Sequence, residues 1–195
     1  MDTFKIVLGS LASIIALGSY LPYFRDIFKA STKPHAFSWL IWTLLDVIAF
    51  AAQVVEKGGA GTWVTGVSAV FCFAIFILAL KKGEKKFVLF DWISLAGALL
   101  ALLLWLLTND PTLSVILVTI TDAIGYLPTF RKGYLKPYEE TLILFGLSAV
   151  KFVFGIMALE TFTLATWLYP ASLVLTNTVF VVMVLIRRKQ VRALA

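Results

Sequence analysis

Long apolar runs broken by short polar stretches set the pattern of this chain. A bilayer-crossing helix needs about 20 mostly apolar residues. Seven such runs can be drawn: Phe4–Phe24, Ala36–Val55, Ala60–Leu80, Phe87–Leu107, Thr112–Phe130, Thr141–Leu159 and Phe162–Ile186. The breaks carry turn or charge signals: Lys33-Pro34, Lys57-Gly58-Gly59, Lys81-Lys82-Gly83, Asn109-Asp110-Pro111, Lys136-Pro137 and Glu160. Loops this short force neighbouring helices to be antiparallel and leave no length for a soluble domain. The pattern predicts an all-α membrane protein with seven transmembrane helices. The first run reads as a retained span, not a cleaved leader, because it is long and no small-x-small cleavage signal precedes Leu21-Pro22-Tyr23-Phe24-Arg25.

Composition agrees. Of 195 residues, 61% are hydrophobic and 14% charged, and the mean hydropathy is +0.94. Soluble chains average roughly 45–50% apolar and about 25% charged residues, so a soluble enzyme, a nucleic-acid-binding domain and a disordered hub are excluded. The net charge of +6 then points to loops facing an anionic leaflet, with no nucleic-acid partner. Arg25, Lys29 and Lys33, then Lys81, Lys82, Lys85 and Lys86, then Arg131, Lys132 and Lys136, and finally Arg187, Arg188, Lys189 and Arg192 fall on one side. Lys5 and Lys57, with Asp2, Glu56, Asp110 and Glu160, fall on the other. The expectation is an N-terminus outside and a cytoplasmic C-terminus. The absence of Asn-x-Ser/Thr sequons and of an added targeting tail suits a multi-pass protein of a prokaryotic cytoplasmic (inner) membrane. A single cysteine, Cys72, and a single histidine, His35, exclude a disulfide framework and a Cys- or His-based metal site. Cys72 reads as packing and His35 as a solvated residue where a loop starts. No metal or cofactor is expected. Without a Ser/His/Asp set, paired metal ligands or a glycine-rich phosphate loop, neither is enzymatic activity.

The chain repeats itself. Ser19-Tyr20-Leu21-Pro22-Tyr23-Phe24-Arg25 matches Gly125-Tyr126-Leu127-Pro128-Thr129-Phe130-Arg131, each near the end of a span. Glu56 stands seven residues before Trp63, and Glu160 seven before Trp167, each pair opening a third span. These matches divide the chain into a three-helix unit (residues 1–83), a linking helix (84–110) and a second three-helix unit with a basic tail (111–195). One linking helix between odd-numbered units gives them the same orientation, so they are parallel repeats related by an axis along the membrane normal.

This 3+1+3 plan, with Tyr20-Leu21-Pro22 followed by Lys29, Ser31-Thr32, Trp39 and Asp46, resembles the PQ-loop and SWEET-type transporters over essentially the whole chain. It departs from them where Tyr23 and Thr129, not glutamine, follow Pro22 and Pro128. Neither second helix has the interior proline usual in sugar carriers. The resemblance implies a central cavity lined by helices one, two, five and six, and a seventh-helix asparagine, here Asn177, in contact with the solute. Trp39-x-x-Trp42 also faintly resembles a pattern of the nicotinamide riboside carriers.

Charged groups at bilayer depth cost at least about 2.5–3.5 kcal/mol and are candidate functional residues. Asp46, Asp122 and Lys151 each lie about ten residues into a span, or roughly 15 Å deep. On the second span Trp39, Trp42, Asp46, Ala49 and Gln53 share a helical face. On the fifth, Thr119, Asp122, Gly125, Tyr126 and Thr129 do so, and on the sixth Thr141, Leu144, Ser148, Lys151, Gly155 and Ala158. The candidate solute or proton path is therefore Asp46, Asp122, Lys151, Asn177, Trp42, Trp39, Gln53, Ser148 and Tyr126. The competing reading pairs Lys151 with Asp46 or Asp122 as a structural ion pair. It makes Asn177 an interhelical hydrogen bond and Trp39 and Trp42 an interfacial belt. Two acids against one base leave one carboxylate over, which could carry a proton. Pro22 and Pro128 remove backbone hydrogen bonds at equivalent places and are candidate hinges, or plain helix ends. The expected function is small-solute transport (a sugar, amino acid or vitamin) by alternating access. The alternative is a non-transporting receptor or scaffold on the same fold. A monomer can complete the cavity, and higher oligomers stay open.

Overall fold

A computed structural model describes residues 2–30, 33–83 and 89–193. Ser31, Thr32, Lys85 and Lys86, and the side chains of Asp91 and Pro128, lie outside the described residues. The fold is all-helical. It comprises α1 (Thr3–Phe28), α2 (Ala36–Val55), α3 (Trp63–Lys82), α4 (Leu89–Thr108), α5 (Pro111–Leu135), α6 (Leu142–Met157) and α7 (Leu164–Ala193), with short 3-10 turns at Gly59–Thr62 and Pro137–Glu139. Five helical segments are long and apolar enough to cross a membrane: Thr3–Phe28, Ala36–Val55, Gly59–Lys82, Pro111–Leu135 and Leu164–Arg192. The chain is thus of the multi-pass membrane type.

The polar breaks act as helix signals. Asp2 caps α1 by accepting from the Phe4 amide at 3.0 Å. Asp110 caps α5 by accepting from the Thr112 amide at 2.8 Å, with Pro111 as the first helical residue. His35, expected to be merely solvated, caps α2 instead, with Nδ1 2.9 Å from the Ser38 hydroxyl.

Four helices differ clearly in length from the apolar runs. α1 and α5 run past Pro22 and Pro128 to Phe28 and Leu135, so neither proline marks a plain helix end. α7 carries the basic tail as helix through Arg187, Arg188 and Lys189. α6 has only 16 residues, about 24 Å at 1.5 Å per residue, because Ala158 caps it and the chain then turns.

α3 packs on both α1 and α2, and α7 packs on both α5 and α6. α1 meets α6, and α2 meets α5. The sequence α1, α3, α2, α5, α7, α6 therefore closes into a ring, and α4 lies outside it against α2 and α5. α1 buries Gly9, Ala12, Ala16 and Ser19 along one face. Small residues at this spacing let helix backbones approach closely. Large apolar side chains such as Phe4, Val7, Ile14 and Leu21 are exposed on the same helix, as a lipid-facing surface requires.

At the end where α1, α3 and α7 begin, the two halves of the chain lock together. The Glu160 amide donates to the Gly58 carbonyl at 3.0 Å. The Thr161 hydroxyl donates to the Lys57 carbonyl at 3.1 Å, and the Lys5 ammonium to the Leu159 carbonyl at 2.7 Å. A Cβ on Gly61 would sit 2.5 Å from the Gly155 carbonyl oxygen. Gly59 has φ +65 and faces Glu160, so it needs glycine for its backbone conformation as well as for space.

Candidate functional site

The three charged residues of the sequence argument are all buried where the ring helices converge. Asp46 on α2 is 4% exposed, Asp122 on α5 is 1% and Lys151 on α6 is 1%. Asp46 and Lys151 each lie on the face that its helix turns inward. On α2 this face is Trp39, Asp46, Ala49 and Gln53, and on α6 Leu144, Ser148, Lys151 and Gly155, all buried.

No ion pair joins Lys151 to either carboxylate among the described residues. The ammonium instead donates to the Ser68 hydroxyl at 2.9 Å and the Tyr20 hydroxyl at 3.3 Å, and lies 4.6 Å from the centre of the Tyr20 ring. The Tyr20 hydroxyl is 3.7 Å from Cys72 Sγ. Cys72 in turn donates to Asp46 Oδ2 at 3.5 Å, and the Tyr169 hydroxyl donates to Asp46 Oδ1 at 3.0 Å. A chain of polar atoms therefore links Lys151 to Asp46 through α1 and α3 and continues to α7. Removing a charge from water is tolerated when hydrogen bonds replace its hydration, and this chain supplies them for both ions.

Asp122 is different. Neither of its oxygens has a partner in full hydrogen-bond geometry; its one neighbouring donor among the described residues is the Trp42 indole N–H, placed to act on the carboxyl group weakly. Tyr126, one turn further along α5, turns its hydroxyl to Asn177 Oδ1 at 3.2 Å. The Asn177 amide donates to the Leu173 carbonyl at 2.7 Å within α7.

The structure brings Asp46, Asp122, Lys151, Trp42, Tyr126 and Asn177 into the interior and gives Gln53 a different task. Gln53 Nε2 donates to the Thr166 carbonyl at 2.8 Å. Pro170, four residues along α7, has no N–H to offer that carbonyl, so Gln53 fills the gap in the helix ladder. Ser148 is buried on α6 one turn before Lys151. Trp39 is buried and packs on Tyr23 and Trp42, with ring centres 5.1 Å away in each case, a position an interfacial belt does not explain. The ring contacts run on from Trp42 to Tyr126 at 6.1 Å, to Phe130 at 6.1 Å and to Phe180 at 5.5 Å. They lie toward the end opposite the glycine-packed lock.

Four members of the polar chain were missed by the sequence reading: Tyr20, Ser68, Cys72 and Tyr169. Tyr20 was visible as the repeat counterpart of Tyr126. Cys72, read as packing, is a hydrogen-bonding member, and an apolar run gives no sign of which partner will face a thiol. Comparison of the chain with protein-family models, with curated proteins and with solved structures finds no match.

Proposed function

We propose that this chain is a small-solute carrier of the 3+1+3, PQ-loop or SWEET-like type, working by alternating access around the buried charges. In this reading, residues 1–83 and 111–195 form two parallel repeats joined by α4, all seven helices span the membrane, and the basic loops and α7 tail face the cytoplasm. The mirrored packing of α3 on α1 and α2, and of α7 on α5 and α6, supports the repeat. The glycine-packed lock then closes the external side, and the ring contacts from Tyr23 to Phe180 lie toward the cytoplasmic side. The polar chain from Lys151 through Tyr20 and Cys72 to Asp46 offers protons a path between the repeats.

One observation carries the reading: among the described residues, Asp122 is buried with no ion-pair partner and no hydrogen bond of full geometry, only the Trp42 indole N–H as a weak donor. A structural role accounts for Asp46 and Lys151, whose hydration is replaced by protein donors and acceptors. It accounts less well for a carboxyl group held at depth against a single weak donor, and an intramembrane ionisable group of this kind is a mark of a solute or proton path. The test is a thermal-stability screen of the purified protein against sugars, amino acids, nucleosides and vitamins, followed by counterflow of any hit in proteoliposomes. A solute at a hundred times its Kd adds about 2.7 kcal/mol. The expected outcome is a hit that crosses the bilayer and is slowed at least tenfold by Asp122→Asn. A solute that binds tightly but never crosses makes the protein a receptor and ends the carrier reading.

A further inference from the structure

The buried ionisable groups are not evenly paired. Asp46 and Lys151 share one hydrogen-bonded chain through Cys72 and Tyr20, so one positive and one negative charge are held against each other. Asp122 stands outside that chain, 1% exposed, with neither oxygen in a hydrogen bond of full geometry. Its neighbours include two aromatic rings and, close enough to act on it through charge, Asp46. The Trp42 indole lies alongside, and Tyr126 follows on the same face of α5. The rings of Trp42 and Tyr126 are 6.1 Å apart and inclined at 45°. The Tyr126 hydroxyl, the obvious donor for the carboxylate, is committed to Asn177. The site thus has a buried carboxyl group, two neighbouring aromatic rings and, among the described residues, no cation in ion-pair contact with it.

We propose that the solute bound here carries an ammonium group, and that Asp122 is its seat, with Trp42 and Tyr126 as flanking rings. This rests on the carrier reading and names the chemistry of what is carried. A carboxylate beside aromatic rings attracts an organic cation twice, through its charge and through the ring quadrupoles. A hard metal ion needs six or more oxygen ligands. No group of three or more His, Cys, Asp or Glu able to hold a metal occurs among the described residues. A proton gains nothing from an aromatic face, so the comparison of Trp42→Phe with Trp42→Leu, both of which lack the indole N–H, separates the proton from the ammonium in experiment.

The test uses matched probes on the purified full chain in detergent. Choline is paired with 3,3-dimethylbutan-1-ol, putrescine with 1,4-butanediol, and tyramine with 4-(2-hydroxyethyl)phenol. The expected result is a rise in Tm from at least one amine and none from its neutral partner. Affinity for that amine falls at least tenfold in Asp122→Asn and several-fold in Trp42→Leu, with Trp42→Phe closer to the unmodified protein. If Asp122→Asn does not fold, the Trp42 pair still reads the site. Equal effects from amines and neutral partners, or no effect from any amine, overturn the proposal. Uptake of a neutral solute that is driven by a pH gradient and lost in Asp122→Asn also overturns it, because Asp122 is then a proton site. That outcome leaves the carrier reading standing. An amine that binds through Asp122 and never crosses the bilayer does the opposite.

Discussion

Gln53 and Pro170 show how a residue's task is set by what faces it. A proline inside a helix leaves the carbonyl four residues earlier without its donor. In α7 that carbonyl belongs to Thr166, and Gln53 reaches across from α2 to satisfy it. Replacing Gln53 with Leu strands a buried acceptor, which costs about 1–3 kcal/mol. Pro170→Ala restores a backbone N–H to the same carbonyl. Unfolding of the single and double variants in detergent is expected to show Gln53→Leu destabilised in the parent and close to neutral in the Pro170→Ala background. Additive effects would show that the two residues do not share this carbonyl.

At the scale of elements, the first end of the bundle is held by backbone approach more than by side-chain interlock. The turn at Gly59–Thr62 sits against the end of α6, with Gly61 facing the Gly155 carbonyl oxygen and the Leu159 amide nitrogen. Those atoms belong to main chain and cannot swing aside as a side chain could. Gly61→Leu is therefore expected to lower the unfolding free energy by about 1–3 kcal/mol, the usual cost of overpacking. Gly18→Leu is the control, because nothing lies within 4 Å of a Cβ added there. A thermal melt of the two variants side by side checks this. Equal melting temperatures would mean that the halves are free to part at this end without cost.

For the molecule as a whole, the cations collect where α1, α3, α5 and α7 end, and few lie where those helices begin. The positive-inside bias orients such a chain with the basic side in the cytoplasm. A C-terminal green fluorescent protein fusion is expected to fluoresce, and a C-terminal alkaline phosphatase fusion to be inactive. The reverse pattern would invert the assignment of the lock to the external side. The closed ring of helices also says where movement is available. The halves touch each other along α1 with α6 and along α2 with α5, and also along α2 with α7 and α3 with α6; in the proposed alternating-access cycle these are the seams that slide or open.

The linear order of residues carries the helices and their ends, because hydrophobic run length and capping residues act locally. Ala36–Val55 is α2 to the residue, and the break at Asn109-Asp110-Pro111 becomes the α5 cap. It also carries the depth of Asp46, Asp122 and Lys151, since depth is a count from the end of a run. Local pattern could not tell that α6 would stop at Met157 or that α1 would continue through Pro22, because turns and kinks respond to neighbouring helices. Nor could it say which of the two acids would share a hydrogen-bonded chain with Lys151. That depends on Tyr20, Ser68, Cys72 and Tyr169, which arrive from three other helices and meet only when the ring closes. The same closure left Asp122 outside that chain, while the Tyr126 hydroxyl, one turn away, bonds to Asn177. Pairing across helices is a matter of rotation and register, and a chain read one residue at a time has neither.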